Sequence, residues 1–125
     1  MQEQALDRLR AICLALPEAL ESGEGVGDPS FKVREKIFAM RHLMDGRMSL
    51  WCKAPAGAQH VLVASTPERF FVPPYVGRYG WIGLWLDTIT DWDEVADLIE
   101  ESYRMTAPKR LLSQLTRPGT SADPR

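Results

Sequence analysis

Only two cysteines, Cys13 and Cys52, and two histidines, His42 and His60, occur in the 125 residues. That scarcity excludes a disulfide framework. Neither histidine stands at i, i+4 from the other or at ligand spacing from a cysteine, so no metal and no cofactor are expected. The cysteines fall on a predicted helix and a predicted strand, as buried reduced thiols of a cytoplasmic protein would. No apolar run is long enough to span a bilayer. The opening MQEQALDRLR lacks the apolar segment of a signal peptide, so no membrane partner is expected. Repeats and low-complexity runs are absent. A Gly-x-Gly-x-Gly spacing runs from Gly23 to Gly27, but no predicted helix follows it, and a phosphate-cradling loop needs that helix.

Net charge is also small, −2, which argues against a general nucleic-acid binder. Its distribution is uneven. Residues 1–27 carry 2 basic and 5 acidic groups, residues 28–80 carry 8 and 4, and residues 81–125 carry 5 and 8. The middle of the chain is thus basic and both ends are acidic. Such asymmetry can make a basic face on an acidic protein. The alternative is a solvated sheet surface paired with helix carboxylates.

What the chain has in quantity is one aromatic stretch. Arg69–Leu86, RFFVPPYVGRYGWIGLWL, holds six of the eleven aromatic residues. It must be buried or be a contact surface. Pro73-Pro74 forbids a helix there and keeps the chain extended. Trp81–Leu86 then reads as a central strand, apolar on both faces.

The remaining elements follow from periodicity. Residues 4–16 make an amphipathic helix stopped by Pro17. A short strand is expected over Ala19–Val26. Ser30–Arg34 alternates, with Phe31 and Val33 inward and Lys32 and Arg34 outward. Ile37–Leu43 and Arg47–Lys53 form a hairpin about Asp45-Gly46 that pairs Met40 with Trp51. Ala56–Ser65 is a short helix. Asp91 caps a helix running to about Met105, with Glu94 placed as in a capping box. Its stripe of Trp92, Ile99 and Tyr103 is expected to pack on Ile82, Leu84 and Leu86. Lys109–Leu115 makes a last short helix, and residues 116–125 read as a disordered tail. The class is α+β: a single antiparallel sheet of about five strands packed on terminal helices, one domain over residues 1–115.

No catalytic constellation is legible, so an enzyme is not expected. The acidic cluster Asp91, Asp93, Glu94 and Asp97 suits helix capping and dipole compensation. For binding there are two candidate surfaces. Lys32, Arg34, Arg47 and Lys53 fall on the outer face of adjacent strands around Trp51, and Arg78 comes from the aromatic loop. Cations about an exposed ring would suit phosphate contact with base stacking. The other surface is the aromatic set Phe70, Phe71, Tyr75, Tyr79 and Trp81, fit for a protein or small-ligand contact by a monomer or homodimer.

Specific segments also carry a family likeness: SFKVREKIFAM, SLWCK, PYVGRYGWIGLWLD and ESYRMTAPKRL. Within them stand Lys36-Ile37-Phe38-Ala39, Ser49-Leu50 with Lys53, Pro74-Tyr75 followed by Arg78 and Trp81, and Ser102-Tyr103. The chain resembles the MmcQ/YjbR family of small bacterial proteins from Leu6 to Leu115. The resemblance implies an α+β fold of frataxin or secretion-chaperone type. Its sheet face has been likened to a double-wing DNA-binding motif, so weak DNA binding is the implied function. No catalytic residue is established for that family. Relatives often have lysine where Arg78 stands here, so the charge is kept.

Overall fold

The computed structural model describes residues 2–23, 29–87 and 90–115. Helix α1 spans Gln2–Leu14 and is followed by β1 (Leu20–Ser22), β2 (Ser30–Val33), β3 (Lys36–Met44) and β4 (Arg47–Cys52). Helix α2 (Ala58–Ser65) precedes β5 (Phe70–Phe71) and β6 (Ile82–Trp85), and α3 (Trp92–Thr106) and α4 (Lys109–Leu112) close the chain. The α+β expectation holds, with one strand more than expected. The six strands form one antiparallel sheet in the order β1-β2-β3-β4-β6-β5. The extra strand is the Phe70-Phe71 pair, which lies against Leu84 and Gly83 of β6. It is two residues long because Pro73 and Pro74 have no N–H to continue a ladder. The expected continuation of β1 to Val26, the glycines Gly25 and Gly27, and the tail 116–125 lie outside the described residues.

Two tight turns set the register. Asp45 and Gly46 both have positive φ, 54° and 80°, the backbone of a type I′ turn, and Met40 pairs with Trp51 as the hairpin spacing requires. Arg34 and Glu35 also both have positive φ, 52° and 69°. Arg34 is therefore a turn residue, not the end of a strand, and the alternation that pointed it outward does not apply to it. Within β3 the pairing slips: Phe31 faces Ala39 but Lys32 faces Ile37. The residue left over is Phe38, a β-bulge, and its ring meets Tyr103 edge-on at 5.4 Å.

One face of the sheet carries the helices. Phe31, Val33, Leu50, Ile82 and Leu84 share a continuous core with Leu9 and Cys13 of α1 and Val95, Ile99 and Tyr103 of α3. Helix α3 lies mainly across β3, with a smaller contact to β4. The backbone of α3 is thus displaced from β6, although Ile99 and Tyr103 share one core with Ile82, Leu84 and Leu86 as expected. Trp92 consequently sits at the rim, half-buried, with the Arg8 guanidinium 5.1 Å from its ring centre. Asp91 caps α3 as expected, accepting from the N–H groups of Asp93 and Glu94. The Glu94 carboxylate leaves the cap to pair with Arg69.

Ser102 joins the layers. Its buried hydroxyl donates to the Phe38 carbonyl at 2.6 Å and accepts from the Lys53 N–H at 2.9 Å. The bulge at Phe38 and the end of β4 are thus tied to α3 through one atom. Ser102→Ala should leave a buried carbonyl and N–H without partners and cost about 1–3 kcal/mol in urea denaturation. A loss within error of zero would mean that water replaces the hydroxyl.

Candidate nucleic-acid interface

The face of the sheet away from the helices is also apolar. Met40, Trp51 and Trp81 form a second buried cluster, with Ile37, Met44, Phe71 and Val76 packed around it. Trp51 is only 2% exposed. Its ring stacks on His42 with centroids 3.8 Å apart, and its Nε1 donates to Ser49 Oγ at 3.1 Å. The expectation of an exposed Trp51 ring is therefore corrected. Strand alternation puts Trp51 on the outer face, but the loop after β5 folds back and covers that face.

The loop is held as a built object. Gln59 of α2 donates to the carbonyls of Gly77 (2.8 Å) and Trp81 (2.6 Å). Gly83 has no Cβ, and one placed there would lie 2.3 Å from the Phe71 ring, so the ring rests on bare backbone. The far side of Phe71 stacks on Trp85 at 4.5 Å. Between β5 and β6 the chain makes a tight turn in which Val76 N–H donates to the Pro74 carbonyl (2.7 Å) and Gly77 N–H to that of Pro73 (3.0 Å). Tyr75 sits at its apex with φ 67°, a backbone region costly for a residue with a side chain.

The aromatic contact set divides accordingly. Phe70 and Trp81 are buried anchors and Phe71 is half-buried. Of the set only Tyr75, 81% exposed, and Tyr79, 68% exposed, face solvent, and Val72 of the same loop is exposed too.

The basic set divides too. Arg34 makes a two-point ion pair with Glu18 at 2.5 and 3.1 Å. Arg47 does the same with Asp87, and its guanidinium lies 3.9 Å above the Trp85 ring. Each is thus engaged by a carboxylate and does not stand free on the outer face. The cause is long-range pairing: the partners lie 16 and 40 residues away in sequence. Lys32, Lys36, Lys53 and Arg78 have no carboxylate within ion-pair distance among the described residues. Lys32 is opposite Ile37, which belongs to the outer cluster, and Lys53 follows Trp51 by two residues on the same face. Burial lowers the Lys53 pKa, and the nearby Lys36 ammonium lowers it further. The band continues into the loop, because Gly80 lies against the Ala54 carbonyl and Arg78 rests on the Tyr79 ring at 4.9 Å.

Neither cysteine is offered as a nucleophile. Cys13 and Cys52 are buried; burial pushes Cys52 up to about 12 and raises Cys13 well above the usual thiol value. Both stay thiols near neutral pH, the inert state. No group of three His, Cys, Asp or Glu is placed to hold a metal among the described residues. No helix there is long and apolar enough to cross a membrane.

A family model described as YjbR matches residues 14–105. No curated protein matches. Among solved structures, Deinococcus radiodurans protein DR2400, of family-model domain DUF419, aligns with a TM-score of 0.70. The alignment has 21% identity and covers 80% of this chain and 76% of that one, a likeness of fold.

Gln59→Leu should free the loop without disturbing the sheet. The expected result is faster amide exchange confined to residues 72–81 and a stability loss of about 1–3 kcal/mol. Exchange unchanged in that segment would mean the loop is held by packing alone. The Arg47–Asp87 pair gives a pH prediction. Arg47 holds the Asp87 carboxyl below its usual pKa. A depressed folded pKa stabilises above the unfolded value, and that contribution is lost as pH falls below about 4. The stability gap between wild type and Asp87→Asn, read by denaturation across pH, should therefore close on acidification. A gap constant with pH would show that the ion pair contributes nothing.

Proposed function

The chain belongs to the YjbR family, and from that premise we propose that it is a non-enzymatic protein that binds nucleic acid through phosphate contacts. The observation that carries this reading is the set of cations with no carboxylate partner among the described residues, Lys32, Lys36, Lys53 and Arg78. Of the eight basic residues in the middle of the chain, Arg34, Arg47 and Arg69 pair with carboxylates and Arg41 is engaged as well. These four are left to face an external anion. Lys53 supports the reading further, because its charge is partly desolvated and crowded by Lys36. A phosphate in the band would relieve both penalties. Buried, protonated thiols fit a binding role better than a catalytic one, and they suit the reducing cytoplasm.

A second reading, contact with another protein, is favoured by one observation: Val72, Tyr75 and Tyr79 are all exposed on one short loop.

The test is a titration of fluorescently labelled DNA at several salt concentrations. Binding should lie in the non-specific range of about 10⁻⁴–10⁻⁶ M at physiological salt. Replacing Lys53 and Arg78 together with alanine should lower the log–log salt slope by roughly 1.5–2. The paired arginines are the control: Arg34→Ala with Arg47→Ala should leave the slope as it is. No binding at low ionic strength would remove the nucleic-acid reading and leave the protein contact. Equal effects of the two double variants would show that the band is not the site.

A further inference from the structure

We infer that the ligand is single-stranded nucleic acid, with unpaired bases stacking on Tyr75 and Tyr79 while the Arg78–Lys53 band holds the adjoining phosphates. This rests on the phosphate-binding reading above and adds the strandedness.

The two rings are presented, not merely exposed. Tyr75 is at the apex of a turn closed by two backbone hydrogen bonds, behind two prolines. Tyr79 is in the 3-10 turn Gly77–Tyr79, whose first carbonyl is gripped by Gln59. The Gly77 backbone packs so closely on Val72 that a Cβ there would lie 2.4 Å from its methyl. Rings held in advance lose little freedom on contact, which is the condition under which an exposed tyrosine becomes a binding surface.

Between the tyrosines and the lysines the chemistry is continuous. Arg78 lies over the Tyr79 ring and Gly80 lies against Ala54, the residue after Lys53. One ring face of Tyr79 is thus next to a guanidinium. A ring flanked by cations matches a nucleotide, which has a π-face and an anion about one residue apart.

Strandedness follows from what each form of DNA displays. In a duplex the base faces are stacked on each other and hidden. A duplex reader needs a helix or a two-stranded ribbon to enter the major groove. On the outer face the exposed rings stand on the loop that covers the Trp51 and Trp81 cluster, not on a helix or ribbon end that could enter the groove. A single strand offers both its phosphates and its base faces.

The experiment compares three labelled oligomers of equal length at low salt: a mixed-sequence single strand, the same strand made abasic, and its duplex. Abasic DNA keeps the phosphates and removes the rings. The normal single strand should bind about 5-fold or more tighter than the abasic one, since stacking contributes roughly 1–3 kcal/mol per base. Tyr79→Leu with Tyr75→Asn should abolish that difference and leave the salt slope unchanged. Asparagine is chosen because it tolerates the left-handed backbone at position 75. Tyr79→Phe should retain the difference. Circular dichroism checks that each variant is folded. If normal, abasic and duplex DNA bind alike, stacking is overturned while phosphate binding stands. If none binds at low salt, both fall. If polyglutamate binds as tightly as the single strand and depends on the same tyrosines, the loop reads acidic peptides and the inference is overturned.

Discussion

Everything on the outer side of this domain depends on one constraint: the helices cover only one face of a sheet whose central strands are apolar on both. Helices α1 and α3 bury Leu50, Ile82 and Leu84. Trp51, between Leu50 and Cys52, necessarily projects the other way. An indole left in water on a six-stranded sheet would be a docking or aggregation surface. Here the chain covers it with its own loop. Trp81 and Val76 close over Trp51 and Met40, His42 stacks beside them, and Phe71 lies flat on Gly83. The loop is rigid because it is the second half of a core.

The same folding back decides the electrostatics. The basic middle and acidic ends of the chain are stitched together in the fold. Glu18 from the N-terminal third takes Arg34, and Asp87 and Glu94 from the C-terminal third take Arg47 and Arg69. These pairs are at least a third exposed on one side, so each adds little to stability. Their effect on the surface is larger than their effect on folding. They set three guanidinium groups against carboxylates at the surface.

This explains which parts of the molecule were legible in the sequence. Period-2 segments, the Asp45-Gly46 turn and the Asp91 cap are local signals, and each element they mark is present. Alternation also assigned Trp51 to the correct face. It could not say whether that face is open, because the cover comes from residues 20–30 positions later. The ion pairs of Arg34 and Arg47 span 16 and 40 residues, and no local pattern announces them. Arg34 misled for a second reason. An Arg-Glu pair is not a usual left-handed turn, so the strand seemed to run through it. The Phe38 bulge is a register shift that a uniform period-2 reading has no means to register. Gln59 carries no signal at all; a lone glutamine on a short helix is ordinary until its two acceptors are seen.

The aromatic stretch posed a choice between burial and contact, and the fold resolves it residue by residue. Phe70, Pro73, Gly77 and Trp81 are buried, and between them Val72, Tyr75 and Tyr79 are exposed. Each presented residue is bracketed by an anchored one within three positions. That arrangement makes the two roles depend on each other. Anchors without presented rings would be a plain lid over Trp51. Presented rings without anchors would be a loose apolar loop, ordered only at an entropic cost on binding. The strained φ of Tyr75 belongs to the same logic. A turn that places a bulky ring in the left-handed region is maintained against its own preference by the packing on either side. Simple coverage of the outer cluster does not require a tyrosine there, since Tyr75 covers none of it. Under the stacking proposal, the side chain at that apex serves a contact outside the molecule.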